Sequence, residues 1–203
     1  MNEEDDGRPA FEAALGYEYF ALQGLRSSSI AEAGTRASLY FTTLTGTVLA
    51  LGFLAGNTDA VRWVAYASLP IVVLLGLLSF LRLVEISIED VLALRGINKI
   101  RAHYGGLVPE AIEYFPPPGR AQAINVMVDT GSHRGRGRSG LTIASSVAVV
   151  NTLVCGASVA FAVADWGLPP LGGAAIGGAV AGVLCWLLLR YQDHRFRAAV
   201  GED

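Results

Sequence analysis

Fourteen of the fifteen Lys and Arg residues lie on one side of four uncharged apolar runs, an asymmetry that few folds accommodate. The runs are Ala37 to Thr58, Trp63 to Leu81, Ser139 to Ala164 and Trp166 to Leu189, each at least nineteen residues long. At about 1.5 Å per helical residue, such a run covers a hydrocarbon core of ~30 Å. Arg62 is the only basic residue in the two short connections between paired runs. Arg26, Arg36, Arg82, Arg95, Lys99, Arg101, Arg120, Arg134, Arg136, Arg138, Arg190, Arg195 and Arg197 flank the other ends, with Arg8 further out. The positive-inside rule then makes both termini and the long middle segment cytoplasmic.

The expected fold is an all-α integral membrane protein. Four transmembrane helices form two hairpins, with a small helical cytosolic layer. The expected location is the cytoplasmic (inner) membrane, crossed several times with both termini cytoplasmic. Charged residues make up only 16% of the chain, against about 25% in soluble domains. Fourteen Arg against one Lys, with abundant Ala, Gly and Val, points to a GC-rich bacterial genome. The net charge of −3 comes largely from the acidic start, Glu3 to Asp6, and says little about partners. No cleavable signal peptide and no lipidation signal are expected.

Residues 1–37 read as a cytosolic tail and helix, with apolar spacing at Phe11, Leu15, Leu22 and Leu25 and a break at Ser27–Ser29. Residues 38–81 form the first hairpin, turning through Gly56-Asn57-Thr58-Asp59. Residues 82–140 form a cytosolic extension and linker. Val84, Ile88, Val91, Leu94, Ile97 and Ile100 continue the second span as one long helix, weakened at Gly96 and stopped by Gly105-Gly106. Short helical segments are expected at Pro109–Tyr114 and Gln122–Val128, around the rigid run Pro116-Pro117-Pro118. Residues 141–189 form the second hairpin, turning through Asp165-Trp166-Gly167. Residues 190–203 form a cytosolic tail. Trp63 and Trp166 mark the outer interface.

No span contains Asp, Glu, Lys, Arg or His, which argues against transport through an intramembrane carboxylate. The three His are scattered without ligand spacing, so no metal site, cofactor or catalytic residue is expected and the chain reads as non-enzymatic. Cys155 and Cys185 sit at depths differing by roughly 15 Å, too far apart for a disulfide. They read as small packing residues. The match of Gly135-Arg136-Gly137-Arg138-Ser139-Gly140 to a dinucleotide pattern follows no strand and opens a span, so it is set aside. Arg134, Arg136 and Arg138 read as a positive-inside anchor or as contacts to anionic lipid or a phosphate-bearing signal. No nucleic-acid partner is expected.

Small residues mark helix packing: Gly52 and Gly56 in the first span, Gly173 with Gly177 and Gly178 with Gly182 in the fourth. They serve packing within one bundle or an interface between subunits. Thr42, Thr43, Thr45 and Thr47 cluster in the first span and Asn151-Thr152 lie in the third. Threonine hydroxyls can bond their own i−4 carbonyl. The Asn151 amide needs a partner beyond its own helix, so it is an interhelical bond or a pore-lining group. Thr42, Thr45, Asn151 and Thr152 are the pore or interhelix candidates. Pro70 frees the Tyr66 carbonyl within the second span.

These features describe an oligomerising four-span protein in contact with membrane lipids. The leading expectation is an ion-conducting or membrane-perturbing effector controlled from the cytosolic side by a protein or small-molecule signal. The other is a scaffold or regulatory subunit that binds a cytosolic protein. The layout of a cytosolic helix and two hairpins around a helical insert resembles small bacterial four-span effectors of nucleotide-signalled antiviral defence, in arrangement only. Reporter fusions after residue 203 and within 105–120 should report cytoplasm; an outer-face signal from either would overturn the topology.

Overall fold

The structure, a computed structural model, describes residues 7–107, 110–114 and 142–200. Among these it is helical throughout. Helix α1 spans Arg8–Phe53, α2 Thr58–Gly105, α3 Ala111–Tyr114, α4 Ile143–Asp165 and α5 Pro170–Val200. Three of them (α2, α4 and α5) are long and apolar enough to cross a membrane. The chain divides into two compact units. One comprises Met1–Glu32 with Ile86–Gly140, the other Ala33–Glu85 with Leu141–Asp203, and α1 and α2 contribute to both.

In the first unit the early part of α1 pairs antiparallel with the late part of α2. Leu22 seats on Gly96, where a Cβ would come within 2.8 Å of Leu22 Cδ1. Arg26 grips Asp90 through Nε–Oδ1 at 2.7 Å and Nη2–Oδ2 at 3.4 Å. The Tyr104 hydroxyl donates to the Glu12 carbonyl at 2.9 Å. Val91, Leu94, Ile97 and Ile100 are buried, as their three-and-four spacing predicts.

The break expected at Ser27–Ser29 does not occur: α1 runs through it without interruption. Serine in a helix costs only a few tenths of a kcal/mol. Burial of Ser29 and the neighbouring Arg26–Asp90 pair hold the segment helical. α2 likewise continues through Gly96 and through Pro70. Helix α3 occupies the end of the turn expected at Pro109–Tyr114, whereas the helix expected at Gln122–Val128 lies outside the described residues.

In the second unit the first turn comes earlier than its residues predict. α1 ends at Phe53, and the bend runs from Leu54 to Asn57 instead of through Thr58-Asp59. The reason is capping. The Asn57 side-chain oxygen accepts from the Ala60 N–H at 3.1 Å, so α2 starts at Thr58. The second turn follows Trp166, with Gly167 at φ 92°, a conformation that favours glycine. Pro170 then opens α5, where its missing N–H costs nothing. α5 continues to Val200, so the expected tail beyond residue 189 is helical up to that point.

α4 and α5 meet through a ladder of small residues. A Cβ on Gly177 would overlap the Gly156 carbonyl oxygen and lie 2.8 Å from the Ala160 Cβ. A Cβ on Gly173 would lie 3.0 Å from the Ala160 carbonyl oxygen, and one on Gly156 would lie 2.8 Å from the Ala181 Cβ. Backbone faces backbone here, so nothing can swing aside. Gly178 and Gly182, on the same helix, face open space, as do Gly52 and Gly56. Gly177→Leu should therefore destabilise the single chain by at least ~1–3 kcal/mol, the usual cost of overpacking. Gly182→Leu should leave its thermal stability in detergent unchanged; equal losses from both variants would contradict this division.

Candidate functional site

A helix as apolar as α4 must satisfy its one carboxamide inside the protein or with water. Asn151 is 4% exposed, and its Nδ2 donates to the Val73 carbonyl on α2 at 3.2 Å. The Tyr40 hydroxyl on α1, fully buried, donates to Asn151 Oδ1 at 3.3 Å. One side chain thus ties three helices together. The space for it comes from Gly76, where a Cβ would overlap the Asn151 amide and lie 2.6 Å from Tyr40 Cε2. Of the two roles open to Asn151, this geometry is that of an interhelical bond. Thr152, also buried, donates to the Val149 carbonyl of its own helix at 2.9 Å.

Of the five threonines of α1, the four within its apolar run divide into two pairs. Thr43 and Thr47 donate to the Leu39 and Thr43 carbonyls at 2.8 and 2.9 Å, the back-bonding expected of threonine in a helix. Thr42 and Thr45 are exposed, and neither forms a side-chain hydrogen bond among the described residues. They lie on a line with Ser38, Leu49 and Gly52, all exposed. Their spacing of four, three, four and three is the 3.5-residue repeat of a helix-packing seam. This face of α1 is uncovered in the single chain.

A third cluster joins the two turns of this unit. Arg62, at the start of α2, contacts Asp165 Oδ2 at 2.6 Å, and the Tyr66 hydroxyl donates to the same oxygen at 3.0 Å. Asp165 lies just beyond the uncharged run that ends at Ala164. The hydrogen bond from Arg62 holds its carboxyl below the usual carboxylate range against desolvation, and Tyr66 assists. Because the folded pKa is depressed, the clasp is fully formed above about pH 4 and is lost as pH falls through the lowered pKa.

Cys155 and Cys185 are free and half-buried. Arg134, Arg136 and Arg138 lie outside the described residues. No group of His, Cys, Asp and Glu among the described residues has the arrangement of a metal site. Residue spacing alone does not single out Tyr40, Gly76, Gly156 or the Arg62–Asp165 pair. Two signals do point to some of them: Tyr40 is the only phenol in the first apolar run, and Arg62 is the only basic residue in the two short connections between paired runs. No family model matches the chain, and neither a curated protein nor a solved structure matches it.

Asn151→Leu should cost about 0.6–1.7 kcal/mol, the range for interhelical hydrogen bonds in membrane bundles. Thermal or denaturant unfolding in detergent would measure it. A fully stable variant would show that the bonds to Tyr40 and Val73 contribute nothing.

Proposed function

We propose that this chain is a non-enzymatic four-span protein of the cytoplasmic membrane. Copies assemble through α1 and conduct ions or perturb the bilayer under cytosolic control. In this reading the latter part of α1 is the fourth span. The observation that carries the proposal is the uncovered seam of Ser38, Thr42, Thr45 and Gly52. Unbonded hydroxyls facing lipid are costly, whereas hydroxyls facing other copies or water are not. A span whose polar face turns away from its own bundle suits an assembly axis. Asn151, occupied inside the chain, holds the bundle in shape while Thr42 and Thr45 line the shared surface. Arg134, Arg136 and Arg138 are the proposed contacts to anionic lipid or to a phosphate-bearing signal.

A second reading, a scaffold that binds a cytosolic protein, draws on a different observation. Tyr17 and Phe20 of α1 are 79% and 75% exposed and lie three residues apart. In the other unit, large exposed apolar residues such as Leu74, Leu78 and Val183 fit contact with lipid. Tyr17 and Phe20 belong to the unit proposed to be cytosolic, where lipid does not account for them.

Planar-bilayer recording decides between the two. The doubly substituted Thr42→Leu/Thr45→Leu protein should lose conductance while its oligomeric mass is retained, because an apolar ring gates by dewetting. Absence of current or vesicle leakage from the unsubstituted oligomer under every trigger would favour the scaffold.

A further inference from the structure

Between α2 and α4 of the second unit lies a groove of about 270 Å³. Ala65, Leu69 and Val73 form one wall and Cys155, Ser158 and Ala162 the other, with Pro70 and Tyr66 at the edge. These positions recur at three and four residues, so each helix turns one narrow stripe toward the groove. Small side chains at Ala65 and Ala162 keep it open. The Ser158 hydroxyl donates to the Val154 carbonyl at 2.7 Å, which leaves the wall without a free hydroxyl. The outer end is different: Tyr66 reaches Asp165, and Asp165 holds Arg62.

We infer that this groove seats one acyl chain of an outer-leaflet phospholipid, with the lipid phosphate on Arg62. The inference rests on the membrane-spanning reading. Three observations select this occupant. From Arg62 to Val73 is eleven residues of helix, about 16 Å, close to half of a ~30 Å hydrocarbon core and so to the depth of one leaflet. The site is apolar along its length, and beyond Tyr66 at its outer end stands Arg62, paired with Asp165 and close to Asp59. Arg62 carries five N–H donors and its Nη2 is held by Asp165, so others remain for an anion. A helix of a second copy, ~10–12 Å across, is too wide for a slot of this volume.

The test is native mass spectrometry of the delipidated full-length protein titrated with dioleoyl phosphatidylglycerol. One tightly bound lipid per chain is expected. Dioleoylglycerol, which lacks the phosphate, should bind at least ~5-fold more weakly, and so should dihexanoyl phosphatidylglycerol, whose chains are short. Ala162→Leu fills the groove and should reduce affinity ~10-fold or more. Arg62→Gln should reduce it about as much as removing the phosphate does. Asp165→Asn breaks the clasp but keeps the cation, and should bind at least as well as the unsubstituted protein.

Should Ala162→Leu fail to fold, the chain-length and headgroup comparisons on the unsubstituted protein still decide the question. Equal affinity for all three lipids, or full binding by a folded Ala162→Leu, would overturn the inference. So would a change in oligomeric mass without a change in lipid occupancy, since that would mean a second copy covers the groove. If topology reporters place the chain outside the membrane, the underlying reading fails; if they place it across the membrane and no lipid binds, only the groove assignment fails.

Discussion

Asn151 is the point on which the second unit depends. An amide in the middle of an apolar helix has no water to turn to, so its partners must come from neighbouring helices. Here they are the Tyr40 hydroxyl on α1 and the Val73 carbonyl on α2. Each partner constrains a different helix, so one side chain sets the rotation of α1 and α2 against α4. Apolar side chains do not discriminate in this way, because one leucine face packs much like another. Gly76 belongs to the same device, since it leaves the room in which the amide and the Tyr40 ring meet.

The contact between α4 and α5 rests mainly on small residues, with one polar bond from Gln192 Nε2 to the hydroxyl of Thr142, the N-cap of α4, at 3.3 Å. Gly156, Ala160 and Ala164 face Gly173, Gly177 and Ala181 closely enough for backbones to touch. In lipid this is the available route to close association, because burial of leucine there gains little over contact with acyl chains. The unit thus combines a polar staple with a small-residue ladder. What it leaves uncovered is equally definite: the threonine seam of α1 and the outer glycines of α5. Those faces motivate the assembly proposal, and the groove under the Arg62–Asp165 clasp motivates the lipid proposal.

The helical class and the continuation of α2 to Gly105 are legible in the sequence, because both depend on local spacing. Length and hydropathy set the former, and apolar residues at Val91, Leu94, Ile97 and Ile100 set the latter. The serine triplet is misleading because its propensity is weak beside the tertiary pairing of Arg26 with Asp90. The first turn shifts by two residues because a single capping bond at Asn57 outweighs the general turn character of its neighbours. Gly173 and Gly177 face the neighbouring helix and Gly178 and Gly182 do not, although the two pairs carry the same motif. A GxxxG spacing states that a helix has a flat face; which face meets a partner is settled here by the small-residue face of Gly156, Ala160 and Ala164 on α4.

The most direct measurement is a double-mutant cycle on the staple, with Tyr40→Phe, Asn151→Ala and the pair unfolded in the same detergent. Tyr40→Phe keeps the ring that fills the space beside Gly76 and removes only the hydroxyl. A coupling energy of about 0.6 kcal/mol or more is expected, in line with bonded pairs in membrane helices. Strictly additive losses would contradict the account, for they would mean that α1 and α4 are not joined through this bond.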